Sequence, residues 1–269
     1  MWLGTGMVLS GRKQRSGSLA RMRTLVVIPT YQEAENVTPF LSRLRAMVPS
    51  VDVLVADDDS PDGTGELAEK AGADLGQIQV LHRRAKEGLG AAYRAGFSQA
   101  LAEGYEVIVQ MDCDFSHDPV VLPRLIQPIE AGDADCSIGS RYVPGGSTPN
   151  WPMHRSMLSR YGNRYTAGLL ELGIHDATSG FRAYHADTLR RIRFDTTRAN
   201  GYAFQTELAR RMVQAELRLV EVPITFLDRA FGTSKMSARI ITESMALVTF
   251  WGLQARASRF VGRTRASRR

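Results

Sequence analysis

Residues Val107–Met111 form an unbroken run of strand-forming, mostly apolar residues that stops abruptly at Asp112, Cys113 and Asp114. A strand apolar on both alternations must be covered on both faces, as in a parallel sheet flanked by helices. Open sheets of that kind bind ligands beyond the carboxyl ends of their strands. In extended chain, residues i and i+2 point to the same side, so Asp112 and Asp114 can serve one site. Hard divalent cations take one or two carboxylates and complete their shell with phosphate oxygens and water. The segment therefore reads as a metal–diphosphate site, although the same three-residue pattern also arises by chance in loops.

The rest of the chain repeats the strand–helix rhythm. Thr24–Ile28, Val51–Ala56, Gln77–Leu81 and Asp135–Gly139 have strand character. Asn36–Met47, Thr64–Ala73, Gly90–Ala102 and Pro119–Ala131 have helical spacing. Asn36 reads as a helix N-cap, and Pro128 should kink its helix. Alternation of this kind implies right-handed crossovers and an α/β fold with a largely parallel sheet. After Arg141 the rhythm changes. A Gly- and Pro-rich loop, Tyr142–Pro152, leads to a helix over Arg155–Leu172 and an irregular stretch over Asp176–Tyr184. A helix over Tyr202–Ala215, a strand over Leu217–Phe226 and a long last helix over Ser237–Ala257 follow.

Bulk properties set bounds. A chain of 269 residues suits one large domain, or one domain with an appendage. Its net charge of +6 is carried almost wholly by arginine, the lysines being Lys13, Lys70, Lys86 and Lys235. That balance permits nucleic acid, anionic lipid or phosphorylated substrates. No run of eighteen apolar residues marks a spanning helix. Residues 1–22 read as a disordered basic extension rather than a secretory signal. Cys113 and Cys136 are far apart and match no metal spacing, which fits reduced thiols in the cytoplasm. The histidines form no H-x-x-x-H pattern and no G-x-S-x-G is present, which argues against a nucleophile-based hydrolase. Lys86–Gly96 is glycine-rich but lacks the G-x-G-x-x-G dinucleotide fingerprint.

Other candidates lie in loops on the same sheet edge. Tyr31 offers an aromatic face to a base, and Glu33 offers acceptors to base or ribose. Asp58, within the Asp57–Asp59 run, is placed to accept a nucleobase N–H, provided that something satisfies three adjacent carboxylates. Arg141, Arg155, Arg160, Arg229 and Lys235 are the cations that phosphate groups brought into one site would need.

These pieces occur in a characteristic order: Pro29–Glu33, Asp57–Thr64, Gly88–Tyr93, Met111–Pro119, Gly139–Tyr142, Trp151–Arg155, Thr178–Arg182, Glu221–Phe226 and Arg229–Lys235. From about Arg23 to about Ile240 the chain resembles the dolichol-phosphate mannosyltransferases, or polyprenol monophosphomannose synthases, of glycosyltransferase family 2. The resemblance implies a GT-A fold over residues 23–236. It implies inverting transfer of mannose from GDP-mannose to a polyprenyl phosphate with Mg²⁺ or Mn²⁺. By matching motif, Pro29, Tyr31, Glu33, Ala56 and Asp58 would hold the guanosine. Asp112 and Asp114 would hold the metal and, with the Cys113 backbone, the diphosphate. Ser116, Arg141, Arg229 and Lys235 would complete the donor site, and Arg155 and Ser159 would meet the acceptor phosphate. Asp59 stands where relatives often have Gly or Asn, Cys113 where Ala is common, and Ser116 where some have Gln.

The residues themselves agree on mechanism: an acceptor already anionic at neutral pH needs no strong base. Two other readings stay open. One is a polyprenyl-phosphate glucosyl- or N-acetylglucosaminyltransferase using a UDP-sugar. The other is a basic nucleic-acid-binding module, against which the Asp-rich loops count, since they would repel a phosphate backbone. Residues 237–269 combine an apolar helix with a basic tail. They are expected to lie at an anionic membrane surface, on its cytoplasmic face, or to meet a membrane-anchoring partner.

Overall fold

The computed structural model describes the backbone of residues 21–199, 201–229 and 238–266, and side chains within them except at Tyr202, residues 238–241 and residues 257–266. The expectations for residues 1–20 and for Lys235 therefore lie outside the described residues. Met22, inside the expected extension, already packs against the core.

One seven-stranded sheet runs in the order β3-β2-β1-β4-β6-β5-β7. Its strands are β1 Thr24–Thr30, β2 Asp52–Asp57, β3 Ile78–His82, β4 Val107–Gln110, β5 Cys136–Ser140, β6 Arg182–His185 and β7 Leu219–Pro223. All pair in parallel except β6, which runs antiparallel to β4 and β5 between them. The helices are α1 Ala34–Met47, α2 Thr64–Leu75, α3 Leu89–Ala102, α4 Leu122–Glu130, α5 Met153–Leu170, α6 Ala186–Arg191, α7 Gly201–Gln214 and α8 Ala238–Ala266.

The layers follow from strand alternation. Val26 and Ile28 of β1, with Val107 and Val109 of β4, face Phe40 and Leu44 of α1 and Leu122, Leu125 and Ile126 of α4. Leu25 and Val27, with Ile108, face Tyr93 and Phe97 of α3 and Phe204 and Leu208 of α7. Each such side chain contributes about 1.5–3 kcal/mol by leaving water. Gly96 lets α3 press onto β1, because a Cβ there would stand 2.4 Å from Cγ1 of Val27. Val27 pairs with Gln110 and Ile28 with Val55, so the ends of β1, β2 and β4 share one edge. The loops carrying Tyr31, Asp58 and Asp112 start there.

Two local expectations need correction. The stretch after Asp176 is not irregular throughout, since it supplies β6. That strand reads Arg-Ala-Tyr-His and lacks the β-branched signal. It is held in the sheet centre because Arg182 is fully buried and satisfied. Asn36 is no cap either. It is buried in the first turn of α1, where Nδ2 donates to Oε2 of Glu33 at 2.7 Å. Pro128 falls in the last turn of α4, which ends two residues later at Glu130, so little helix lies beyond the ring to be deflected.

The last helix is longer than its sequence pattern predicts. One side of α8 packs on α5 and α7. Val248 is buried, Gly252 abuts Leu169, and the Thr249 and Tyr165 hydroxyls are 2.9 Å apart. Trp251 is half-buried, with Arg210 over its ring, rather than pointing outward. Leu247, Phe250 and Leu253 are left exposed, as are Met153, Met157, Leu158 and Tyr161 of α5. No described helix is long and apolar enough to cross a membrane.

Candidate active site

The nucleoside corner is built from the ends of β1 and β2. Asp57 is structural: it accepts from the Thr30 hydroxyl at 2.8 Å and from the Ser60 amide at 2.9 Å, fastening the two loops together. Asp62 does the same for α1 and α2, accepting from the Ala34 and Thr64 amides. Hydrogen bonds thus satisfy carboxylates that would otherwise repel. Pro29 and Ala56 are register partners at the base of this corner. The Glu33 amide bonds Thr64 Oγ1 at 2.9 Å. Asp58 is buried and paired with Arg83, whose other nitrogen reaches Glu87 at 2.6 Å. Burial pushes the Asp58 carboxyl above its ordinary value, and Arg83 pulls it back only in part. Lys86 lies 3.9 Å over the Tyr31 ring. The loops expected to hold a base thus share one corner, which Arg83 and Lys86 also line.

The carboxylate pair lies at the end of β4. Asp114 is buried. Its Oδ1 accepts from the Ser116 amide at 3.0 Å and its Oδ2 lies 3.2 Å from the Arg229 guanidinium. Ser116 also positions that arginine, since its carbonyl accepts from the Leu227 amide at 3.2 Å. Asp112 accepts from the Tyr93 hydroxyl at 3.2 Å. Its carboxyl is pushed up to about 7, first by burial and next by the charge of Asp114, with Tyr93 and Arg229 opposing. The side chain keeps 39% of its surface, so this is the burial of a cleft wall and not of a sealed core. His117 is held down to about 4, chiefly by burial, and is neutral at pH 7. At 4.0 Å from Asp112 it therefore makes no ion pair. Its ring stacks on Phe181, centroids 5.0 Å apart.

Among the described residues no three His, Cys, Asp or Glu side chains converge as a metal cage. Two carboxylates in an open cleft nonetheless fit a hard cation that draws its other ligands from phosphate and water. Such a cation would also relieve the repulsion between Asp112 and Asp114. Only its backbone is needed from the buried Cys113 between them.

Arg141 ends β5 in a buried bidentate pair. Its Nε and Nη2 donate to Asp176 at 2.7 and 2.6 Å, and Nη2 also reaches Thr178 at 2.8 Å. Burial alone would raise the Asp176 carboxyl, but Arg141 outweighs it and holds the group below the usual carboxylate range. From here a chain of bonds runs to α5. Asn163 exchanges hydrogen bonds with Thr178, and the Ser159 hydroxyl meets Tyr142, whose ring lies under Arg141. Arg160 also stands over Tyr142, 5.1 Å from its centroid. One turn earlier than Ser159, Arg155 stacks on Trp151 at 3.9 Å and bonds Asp228 at 2.7 Å, next to Arg229.

The structure thus brings Asp112, Asp114, Ser116 and Arg229 together directly, with Arg141 near enough for its charge to depress His117. Tyr31, Glu33 and Asp58 lie on the neighbouring loops, and Arg155 and Ser159 on α5, linked through Asp228 and Tyr142 to the surroundings of Arg229 and Arg141. Sequence reasoning missed Arg83, Tyr93, His117, Asp176 and Arg182. Tyr93, His117, Asp176 and Arg182 lie in or beside the motifs that carry the resemblance, so position alone could have flagged them. Nothing local marks Arg83.

Comparison with known proteins bears on this geometry. A family profile described as "Glycosyl transferase family 2" matches residues 25–193. The chain is 50% identical over 235 residues to an undecaprenyl-phosphate mannosyltransferase of Micrococcus luteus, covering 87% of this chain and 96% of that protein. It is 49% identical over 241 residues to a polyprenol monophosphomannose synthase of Mycolicibacterium smegmatis, covering 89% and 91%. Among solved structures, glucosyl-3-phosphoglycerate synthase from Mycobacterium tuberculosis, crystallised with Mn²⁺, UDP and glucosyl-3-phosphoglycerate, superimposes with a TM-score of 0.63 at 17% identity. That match covers 91% of this chain and 86% of the synthase, and it extends to the fold alone. A parallel sheet with one reversed strand, a carboxylate pair at its edge and full-length relatives of one activity all agree: the chain belongs to glycosyltransferase family 2, of GT-A fold, among the polyprenol-phosphate mannosyltransferases.

Proposed function

We propose that the protein transfers mannose from GDP-mannose to the phosphate of a polyprenyl phosphate, with inversion, at the cytoplasmic face of a membrane. The observation that carries this reading is the gathering of opposite charges beyond one end of the sheet. Asp114 meets Arg229, the adjacent Asp228 bonds Arg155, and Arg141 is paired with Asp176. Two phosphate-bearing substrates need such an arrangement to be brought together against their own repulsion.

Asp112 and Asp114 would hold Mg²⁺ or Mn²⁺, which when bound neutralises charge on the departing diphosphate. The remaining work falls to the chain. Tyr31 supports the guanine face while Asp58 and Arg83 meet its polar edge, with Pro29, Glu33 and Ala56 shaping the nucleoside corner. Arg229 stands half-buried where the diphosphate leaves, and Lys235 follows in the same segment. Arg155 and Ser159 orient the acceptor phosphate, and Arg141 fixes the wall between the two substrates. The acceptor oxygen attacks C1 as the bond from C1 to the GDP oxygen breaks, from the opposite side, which inverts the anomeric centre. An anionic oxygen needs no proton removed, so the neutral His117 is not required as a base. Rate enhancement then rests on alignment and on fixed charge.

Exposed Met153, Met157, Leu158 and Tyr161 on α5, with Leu247, Phe250 and Leu253 on α8, form an apolar surface. Arg155 lies among the α5 residues. Apolar side chains beside a cation suit the headgroup layer, which would bring the acceptor wall to its lipid. A separate membrane-anchoring protein would meet the same face. The test is turnover of GDP-mannose against UDP-glucose with a short polyprenyl phosphate, with and without a chelator, and the anomer of the product read by NMR. Metal-dependent formation of the β-linked mannosyl lipid is expected. Turnover of UDP-glucose alone would overturn the donor assignment.

A further inference from the structure

Gln205, in the second turn of α7, is 2% exposed, and neither Oε1 nor Nε2 of its side chain has a hydrogen-bond partner among the described residues. Native interiors rarely leave both ends of an amide unpaired, because the desolvation is not repaid. Its surroundings give the reason. A Cβ built at Gly180 would stand 3.5 Å from Oδ2 of Asp112 and 3.9 Å from Nε2 of Gln205. Gly180 and Asp112 are both partly open to solvent. The missing side chain therefore leaves a notch that is open on the Asp112 side and closed at the back by the amide.

The notch is built rather than incidental. The fully buried Arg182 donates to the Gln205 carbonyl at 2.9 Å and to the Ser179 and Ala177 carbonyls at 2.8 Å each. One guanidinium thus ties the backbone of Gln205 to the segment just before Gly180. Phe204 stacks on Tyr93, with centroids 6.0 Å apart and rings 2° from parallel, and Tyr93 donates to Asp112. The Gln205 side of the notch is thus linked through Tyr93 to the Asp112 carboxylate.

We propose that this notch receives a hydroxyl of the donor hexose, held between Asp112 and the Gln205 amide, and that Gln205 thereby helps set which sugar is transferred. The inference rests on the reading of Asp112 and Asp114 as the diphosphate site, since the hexose is the group next beyond that diphosphate. A ligand hydroxyl cannot sit at the Cβ point itself but would rest against the bare Gly180 backbone, between the carboxylate and the amide. It can donate to the carboxylate and accept from the amide. A site built to bond a hydroxyl rejects the sugar that lacks it in that position, because its buried polar group is then left unpaired.

The experiment uses the full chain and two variants. Gln205→Leu removes the amide at similar volume. Gly180→Ala fills the notch with a methyl at ordinary contact distances, so the fold accommodates it. Wild type is first assayed with GDP-mannose, its C2 epimer GDP-glucose, and UDP-glucose, and the donor it turns over is used throughout. A uridine donor would overturn the guanosine reading while leaving the notch open to test on that donor. Expected for both variants are GDP affinity within twofold of wild type in Mn²⁺, kcat/KM lower by at least tenfold, and epimer discrimination lower by at least fivefold. Metal-free Gln205→Leu should melt no lower than wild type, as removing an unpaired buried amide predicts. If both variants keep kcat/KM and epimer ratio within twofold, the proposal falls. It also falls if Gln205→Leu melts lower and loses GDP affinity together with activity, which is the signature of a merely structural residue.

Discussion

The guanidinium of Arg141 and the carboxylate of Asp176 meet at 2.7 and 2.6 Å with neither group open to water. This pair fastens the end of β5 to the segment leading into β6. Removing one partner strands the other charge in a poor solvent, which costs about 3–5 kcal/mol. Asp176→Asn should therefore lower the melting temperature markedly at pH 7. The Asp176 carboxyl is held below its ordinary value of 3.8. Its contribution is then complete above about pH 4 and is lost as pH falls through the depressed value. Melting curves from pH 7 to 3 should fall more steeply for wild type than for Asp176→Asn at the acid end. Parallel curves would show that the pair does not set acid stability.

Asp114 bonds the Ser116 amide and faces Arg229, outside the apolar core. Asp114→Ala should reduce kcat/KM by at least about 2.7–4 kcal/mol, the scale for losing one preorganised charge-stabilising group. Circular dichroism and melting should stay close to wild type. Near-normal turnover that still requires metal would remove Asp114 from the site.

Arg155 is held by Trp151 and Asp228, both contacts partly solvated. An exposed pair of this kind contributes roughly 0.2–1 kcal/mol, so Arg155→Ala should fold normally. Its expected effect is a raised KM for the lipid acceptor with donor affinity unchanged. Calorimetry showing lost GDP-mannose binding with an unaltered acceptor KM would move Arg155 to the donor side.

Membrane contact is testable by surface charge. Deleting residues 238–269 would uncover Leu169 and the pocket of Val248, confounding any result. Replacing exposed Met157, Phe250 and Leu253 by Glu avoids this. Less of the triple variant should co-sediment with anionic liposomes, while its turnover of a detergent-solubilised short acceptor should be within about threefold. Sedimentation equal to wild type at low and high salt would place the contact elsewhere.

How much of this was legible beforehand depends on how far each signal reached along the chain. β1, β2 and β4 declared themselves because all but one residue in each of β1 and β2, and all of β4, are buried, and the carboxylates at their ends inherit their edge from parallel pairing. The family and its mannosyl-transfer class were legible in motif order. β6 was hidden because its first residue, Arg182, looks polar in sequence and is satisfied by carbonyls three, five and twenty-three residues away. Arg83 was hidden for the same reason: its partner Asp58 lies across the β2–β3 crossover. Gln205 carries no sequence signal, as an unpaired amide is defined by what fails to surround it.

The single reversed strand sets the tolerance of the machine. Gln110 of β4 pairs with Arg182 of β6, so the backbone ladder sets the offset between Asp112 and Gly180. A slip of one residue would carry Gly180 about 3.4 Å along the sheet and turn Arg182 to the opposite face. The alignment of sugar and carboxylate is therefore built in when the sheet zips together, like the pitch of a thread. Variation among relatives in sugar choice should be sought in side chains hung on this ladder, because the ladder itself leaves no half-step.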